Sequence, residues 1–327
     1  MIKTVKFWLE ASRWYALPMS IFSWLVVFSY SLLNDGNVLY GFIALVGVCF
    51  AHLATNLFDD LCDYHFLKKS LNSSNEPELP NAQRGKCSYI LKGDATLFQV
   101  FKTFCLYCVI SLFIGILFYY LLGKIVGIFV LTGALIVLLY SVLSYIGLSE
   151  LAVGIAFGPL LFGGVYCVMT GKLNTDVFIL SLPTMFFTIN LLYTDTFLDK
   201  DIDKAEGKTT VVNLFKDVKG AFNLQKMFVI MGYLSLFLIP IFDIADWQVF
   251  FVFLTIPLAV DLHNSLLKYA DDKNFIPEKK WYHFPFEGWT DIKENRSESF
   301  MFRMYQARNL MIYSSVILSL ALWFSGC

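Results

Sequence analysis

The sequence predicts an all-α polytopic membrane protein with nine transmembrane helices. Three observations predict it. Of the 327 residues, 57% are hydrophobic and only 16% are charged, whereas a water-soluble domain is nearer about 25% charged. Nine apolar runs approach the length of roughly 20 residues that a helix needs to cross a bilayer core. Basic residues also collect between alternate pairs of those runs, as they do in chains oriented by cytoplasmic positive charge. A net charge of −1 removes any global basic character, so nucleic acid is excluded as a partner. The seven Cys lie mostly inside apolar runs, with neither metal-ligand spacing nor a disulfide framework, and read as small packing residues.

The elements follow in order. The opening stretch, MIKTVKFWLEASRWYALP, is amphipathic and leads into the first span, with no cleavable signal pattern. The spans are expected at about 17–33, 38–58, 97–122, 124–144, 150–170, 174–194, 222–242, 246–266 and 308–325. With the N-terminus inside, 21 of the 25 Lys and Arg fall on the inner side. The outer loops then hold only Lys124 and Lys172. The expected orientation is therefore N-terminus in and C-terminus out in an inner (cytoplasmic) membrane. One domain covers 1–327, with cytoplasmic loops at about 59–95, 195–221 and 267–307. The long loops all lie inside, and long loops on a rigid scaffold carry function.

Two acidic stretches end the second and sixth spans on that inner side. The first is Asn56-Leu57-Phe58-Asp59-Asp60-Leu61-Cys62-Asp63, and the second runs from Asp195 through Asp199 to Asp203. On a helix, Asn56, Asp60 and Asp63 share a face, Asp59 and Asp63 share a face, and so do Asp195, Asp199 and Asp203. Stacked like charges repel. They are either solvated helix ends or the ligands of a divalent cation, and carboxylates with an Asn carbonyl are hard donors suited to Mg²⁺. Basic residues follow each cluster: Arg84-Gly85-Lys86 after the first, and Gly207-Lys208-Thr209 after the second. Carboxylates, a metal and basic donors together hold a diphosphate and turn it into a leaving group. Aromatic walls, expected from Phe50, Phe58, Phe157, Tyr166, Phe186, Phe187, Tyr193 and Phe197, suit an isoprenoid tail and an allylic cation. Of these, Tyr193 and Phe197 stand inside the second cluster.

These motifs resemble the UbiA superfamily of intramembrane prenyltransferases. Asn56 to Tyr64 is similar to that family's first Asp-rich motif, and Tyr193 to Thr210 is similar to its second. Weaker segments resemble the 1,4-dihydroxy-2-naphthoate polyprenyltransferase branch of menaquinone biosynthesis. They are Glu10 to Pro18, Gly147-Leu148-Ser149-Glu150 leading to Phe157-Gly158-Pro159, Thr170-Gly171, and Ala307 to Leu310. The resemblance implies a nine-helix bundle around a central cavity, open laterally to lipid, and Mg²⁺-dependent transfer from a polyprenyl diphosphate to an aromatic acceptor. It implies Asn56, Asp59, Asp60 and Asp63 at a first metal, and Asp195, Asp199 and Asp203 at a second. Asp60, Asp63, Asp199 and Asp203 would be the catalytic carboxylates. Arg84, Lys86, Lys208, Tyr140 and Ser141 would bind diphosphate.

The chain also departs from that branch. It has Asp59 where the branch has Asn, and Leu198 and Ile146 where the branch has basic residues. Other acceptors therefore stay open (4-hydroxybenzoate, haem, a sugar phosphate), as does a terpene cyclase. A different class, a cation-coupled transporter, also uses intramembrane carboxylates. The carboxylates here sit at helix ends rather than at the midplane, which favours the enzyme. The aromatic, Pro-interrupted stretch from Phe275 to Trp289 reads either as a lid over the site or as a surface loop anchored by Trp and Tyr.

Overall fold

The computed structural model describes residues 2–73, 87–205, 209–215 and 218–325. Among them, nine helices are long and apolar enough to cross a membrane. They are Trp14–Leu33, Val38–Tyr64, Leu97–Leu122, Lys124–Tyr145, Ser149–Thr170, Asp176–Leu198, Lys219–Ile241, Trp247–Asp271 and Glu298–Ser325, here the first to ninth spans. An amphipathic helix, Ile2–Ala11, precedes them. The protein is thus an all-helical integral membrane protein, as its patterning predicts.

The spans close into a ring. The second packs on the third and fourth, the fifth on the first and sixth, and the ninth on the first, sixth and eighth. Two apolar cores result. The larger joins the first and fifth to ninth spans through Phe162, Leu180, Phe187 and Leu318. The smaller ties Leu53 and Leu57 of the second span to Ile90, Phe104 and Tyr107. Its capping turn is explicit: Thr96 accepts from the Gln99 amide while the Gln99 side chain accepts from the Thr96 amide.

The fifth span is not a regular helix. Gly158 has non-helical dihedrals (φ −96°, ψ −111°) in a wide turn just before Pro159, which has no amide hydrogen to donate. The glycine also permits close approach, since a Cβ there would lie 2.7 Å from Met185 Cβ of the sixth span.

Helix ends differ from expectation where polar groups are paired. The second helix runs on through the acidic stretch to Ser73. The ninth begins at Glu298, ten residues before its expected start at 308. Hydropathy excluded that stretch because it holds Glu298, Arg303 and Gln306, yet Arg303 and Gln306 are buried, as is Asn309 just beyond it. Arg303 donates to the carbonyls of Ser265 (2.9 Å) and Phe275 (3.0 Å) and lies over the Tyr269 ring. Asn309 donates to the carbonyls of His283 (2.7 Å) and Pro285 (3.1 Å). Pairing removes most of the cost of burying such groups.

The same contacts fold the connection between the eighth and ninth spans into a cap. Asp261 accepts from Lys280 Nζ (2.8 Å) and Tyr282 Oη (2.7 Å), and His283 Nε2 lies 2.9 Å away. Phe286 packs on Trp289, Phe302 and Tyr305.

Candidate active site

The spans enclose a cavity of about 1430 Å³. The last turns of the second span and the end of the sixth bring carboxylates to it. On the sixth span, Asp199 N–H donates to the Asp195 carbonyl (3.0 Å) and Asp203 N–H to the Asp199 carbonyl (2.9 Å). The i, i+4 rhythm therefore carries across the helix end at Leu198 into the short helix Lys200–Ala205. Asp195, Asp199 and Asp203 all line the cavity.

The second span divides its acidic residues between two rows. Asn56 and Asp59 line the cavity. Asp60 is fully buried behind them, where it pairs with Arg13 and accepts from Tyr89 Oη (3.0 Å). Asp63 is also buried and accepts from Tyr145 Oη (2.8 Å). Ser141 donates to Asp59 (3.3 Å), and Tyr140 lies on the cavity wall. Arg84, Lys86 and Lys208, expected to bind diphosphate, lie outside the described residues.

Arg13 organises this wall. Its guanidinium pairs with Asp60, lies 3.5 Å from Asp59 and donates to the Asn56 carbonyl (3.3 Å). Asn56 in turn donates to the Ser12 carbonyl (2.9 Å). Burial works against the Arg13 charge, but Asp60 and Asp59 outweigh it and hold the pKa well above its ordinary value. The residue is also held at φ 57°, in the left-handed region. That conformation costs about 1–2 kcal/mol for a residue with a Cβ, and the buried ion pair offsets it. Sequence reasoning counted Arg13 only as an inner-side charge and as part of a resembling segment. Its partner lies 47 positions away, and no local spacing signals such a pair.

The comparisons with known proteins bear on this geometry. Residues 19–284 match the UbiA prenyltransferase family, over four fifths of the chain. The chain belongs to the UbiA prenyltransferase family. A search of curated proteins gives no match. Among solved structures, a UbiA homologue from Aeropyrum pernix K1 is similar with a TM-score of 0.62 and 15% identity, covering 92% of this chain and 98% of that one. A UbiA homologue from Archaeoglobus fulgidus bound to GPP and Mg²⁺ is similar with a TM-score of 0.58 and 12% identity, covering 93% and 99%. A structure of digeranylgeranylglyceryl phosphate synthase is similar with a TM-score of 0.57 and 15% identity, covering 97% and 99%. At these identities the likeness is one of fold.

The aromatic wall of this UbiA-family chain differs from the one expected. Of the eight aromatics named from the sequence, Phe157 alone lines the cavity among the described residues. Phe50 packs on Tyr107, Phe58 on Phe104 and Phe197 on Phe222, while Tyr193 donates to the Ala221 carbonyl. They point to neighbouring helices because every face of these spans is apolar, so composition does not mark the cavity side. The rings that do line the cavity include Trp14, Tyr15, Phe104, Phe129 and Tyr305. The cap reaches the same cavity through Glu287 and Asp291, as does Arg308 of the ninth span.

The donor set fits a hard divalent ion shared with a ligand. Asn56, Asp59, Asp195, Asp199 and Asp203 offer only oxygen donors along one cavity. Among the described residues, no three His, Cys, Asp or Glu side chains converge to hold an ion by themselves. Mg²⁺ binds through one or two carboxylates, waters and substrate phosphates, and these oxygen donors are of that kind.

Proposed function

We propose that this protein transfers a polyprenyl group from a polyprenyl diphosphate to an aromatic acceptor, 1,4-dihydroxy-2-naphthoate, in an Mg²⁺-dependent step of menaquinone biosynthesis. One observation carries it: carboxylates from the ends of two spans meet at a cavity whose remaining walls are largely apolar. The A. fulgidus homologue with GPP and Mg²⁺, and another structure of it with DMAPP and Mg²⁺, support the donor class. The acceptor rests on the segments around Ser149-Glu150 and Ala307 to Leu310. In this proposal the clustered helix ends face the cytoplasm from the inner membrane, with the N-terminus in and the C-terminus out.

Asn56 and Asp59 on one side, and Asp195, Asp199 and Asp203 on the other, would hold the metal. Bound there, Mg²⁺ neutralises diphosphate charge and makes it a better leaving group. Arg84, Lys86 and Lys208 would grip the remaining oxygens, with Tyr140 donating beside them. Arg13, fixed by Asp60, keeps the Asn56–Asp59 wall in register, and Tyr145 and Ser141 orient Asp63 and Asp59. The apolar chamber holds the prenyl tail and excludes water from the allylic cation as its C–O bond breaks. Phe157 and Tyr15 present ring faces or edges to that chamber, and an aromatic face stabilises a cation. The electron-rich acceptor ring supplies the electron pair for the new C–C bond, diphosphate departs with the electron pair of the broken C–O bond, and the attacked ring carbon then loses its proton, or its carboxylate as CO₂, to restore aromaticity. The protein contributes position and charge.

The test is product analysis by mass spectrometry. Purified protein in lipid receives Mg²⁺, a polyprenyl diphosphate and a panel of acceptors, with Asp199→Ala as control. The expected product is prenylated naphthoquinol, lost in the variant. Diphosphate release with a different adduct, or with none, would reject the naphthoate acceptor.

A further inference from the structure

Two cations line the cavity among the described residues, Arg13 and Arg308. Arg13 is committed to Asp60, Asp59 and the Asn56 carbonyl. Arg308 is held differently. Its guanidinium lies 4.4 Å from the centroid of the Tyr305 ring, which fixes its plane. Nε and Nη2 both donate to Asn309 Oδ1 (3.2 and 3.0 Å), and Nη2 donates to the Pro285 carbonyl (3.2 Å). Asn309 is itself clamped by the carbonyls of His283 and Pro285. These partners are neutral, so they orient the charge without cancelling it.

The anionic partner of Arg308 is Glu287, at 2.7 Å. The pair is asymmetric: the Arg308 side chain is 15% exposed and that of Glu287 is 61% exposed. An exposed carboxylate holds such a partner weakly, and it turns to water at little cost. A carboxylate arriving from the cavity side meets a rigid, preorganised guanidinium, and guanidinium and carboxylate match bidentately. The walls beside it are Tyr305, Met304 and Phe300, which suit a flat ring.

We propose that Arg308 is the acceptor-anchoring residue: an aromatic acceptor docks its carboxylate on Arg308 by displacing Glu287. The ring of that acceptor then lies in the cavity shared with the carboxylate clusters. This proposal rests on the transfer reaction given above and names the acceptor class as a ring acid.

The experiment uses full-length protein in lipid nanodiscs and measures equilibrium binding of two probes, 1-hydroxy-2-naphthoate and 1-naphthol. They differ in the carboxylate alone. Wild-type protein is expected to bind the acid roughly tenfold or more tighter than the naphthol, the worth of a charge-assisted contact. Arg308→Gln erases that difference and leaves naphthol affinity within about twofold. Arg308→Lys keeps part of it. Glu287→Gln removes the internal competitor and tightens binding of the acid alone.

Equal affinities in the wild type, or equal weakening of both probes in Arg308→Gln, would overturn the proposal. If Arg308→Gln does not fold, Glu287→Gln decides, because unchanged binding of the acid in that variant also overturns it. Product analysis on the same preparations separates the two claims. A carboxylate preference without prenylated product supports the anchor and rejects the transfer. Equal turnover of acid and neutral acceptors supports the transfer and rejects the anchor.

Discussion

Asp60 and Asp59 are adjacent in sequence but occupy different environments. Asp59 faces the cavity, and Asp60 is sealed behind it with Arg13 and Tyr89. Removing one partner of a buried pair leaves an uncompensated charge, which costs about 3–5 kcal/mol. Arg13→Gln should therefore lower the melting temperature of the detergent-solubilised protein clearly, and Asp60→Asn in that background should recover part of the loss. A melting temperature unchanged by Arg13→Gln would show that the pair is not formed. Asp199→Asn, on the cavity wall, should instead lower turnover on the order of a hundredfold with little change in melting. Both roles were hidden at the sequence level. Spacing put Asn56, Asp60 and Asp63 on one helix face, but whether that face meets the cavity or a neighbour depends on Arg13 and Tyr145, which are distant in sequence.

Two elements depart from regular helix, and each has a testable consequence. Gly158 lets the fifth span meet the sixth, with Met185 Cβ 2.7 Å from where a side chain would begin. Gly158→Val should cost about 1–3 kcal/mol in overpacking, read as a lowered melting temperature. Gly154→Ala should be milder, because the nearest atom it meets is the end of the Ile189 side chain. The cap between the eighth and ninth spans carries the second prediction. Burial lowers the pKa of His283 from its ordinary value, and Asp261 raises it only in part, so the folded cap holds a neutral imidazole. A group whose pKa is depressed by folding binds its proton more readily when unfolded. Its contribution is therefore intact above about pH 6.5 and is lost as the pH falls below that. Limited proteolysis between residues 272 and 297 should be faster at pH 5.5 than at 7.5, and His283→Gln should flatten that dependence. Cleavage rates insensitive to pH in the wild type would contradict the assignment.

At the scale of the whole molecule, the bundle was legible because a bilayer imposes a minimum length on each span, and the expected runs 97–122 and 124–144 match the observed Leu97–Leu122 and Lys124–Tyr145 almost to the residue. The acidic helix ends were legible because charge is conspicuous in an apolar chain. What was not legible is direction. In a membrane every helix face is apolar, so Phe50, Phe58 and Phe197 looked like cavity walls and instead pack on neighbours. The start of the ninth span was missed because paired polar residues such as Arg303 and Gln306 resemble a loop until their partners are known. The joint work of the two span ends is the central claim. It is tested most directly by release of inorganic diphosphate from a polyprenyl diphosphate in lipid nanodiscs, with Mg²⁺ and after chelation. Wild-type, Asp59→Asn and Asp199→Asn proteins, each shown to be folded, would be compared. The expected result is Mg²⁺-dependent release that falls on the order of a hundredfold in either variant. Release that survives chelation, or that persists in both variants, would contradict it.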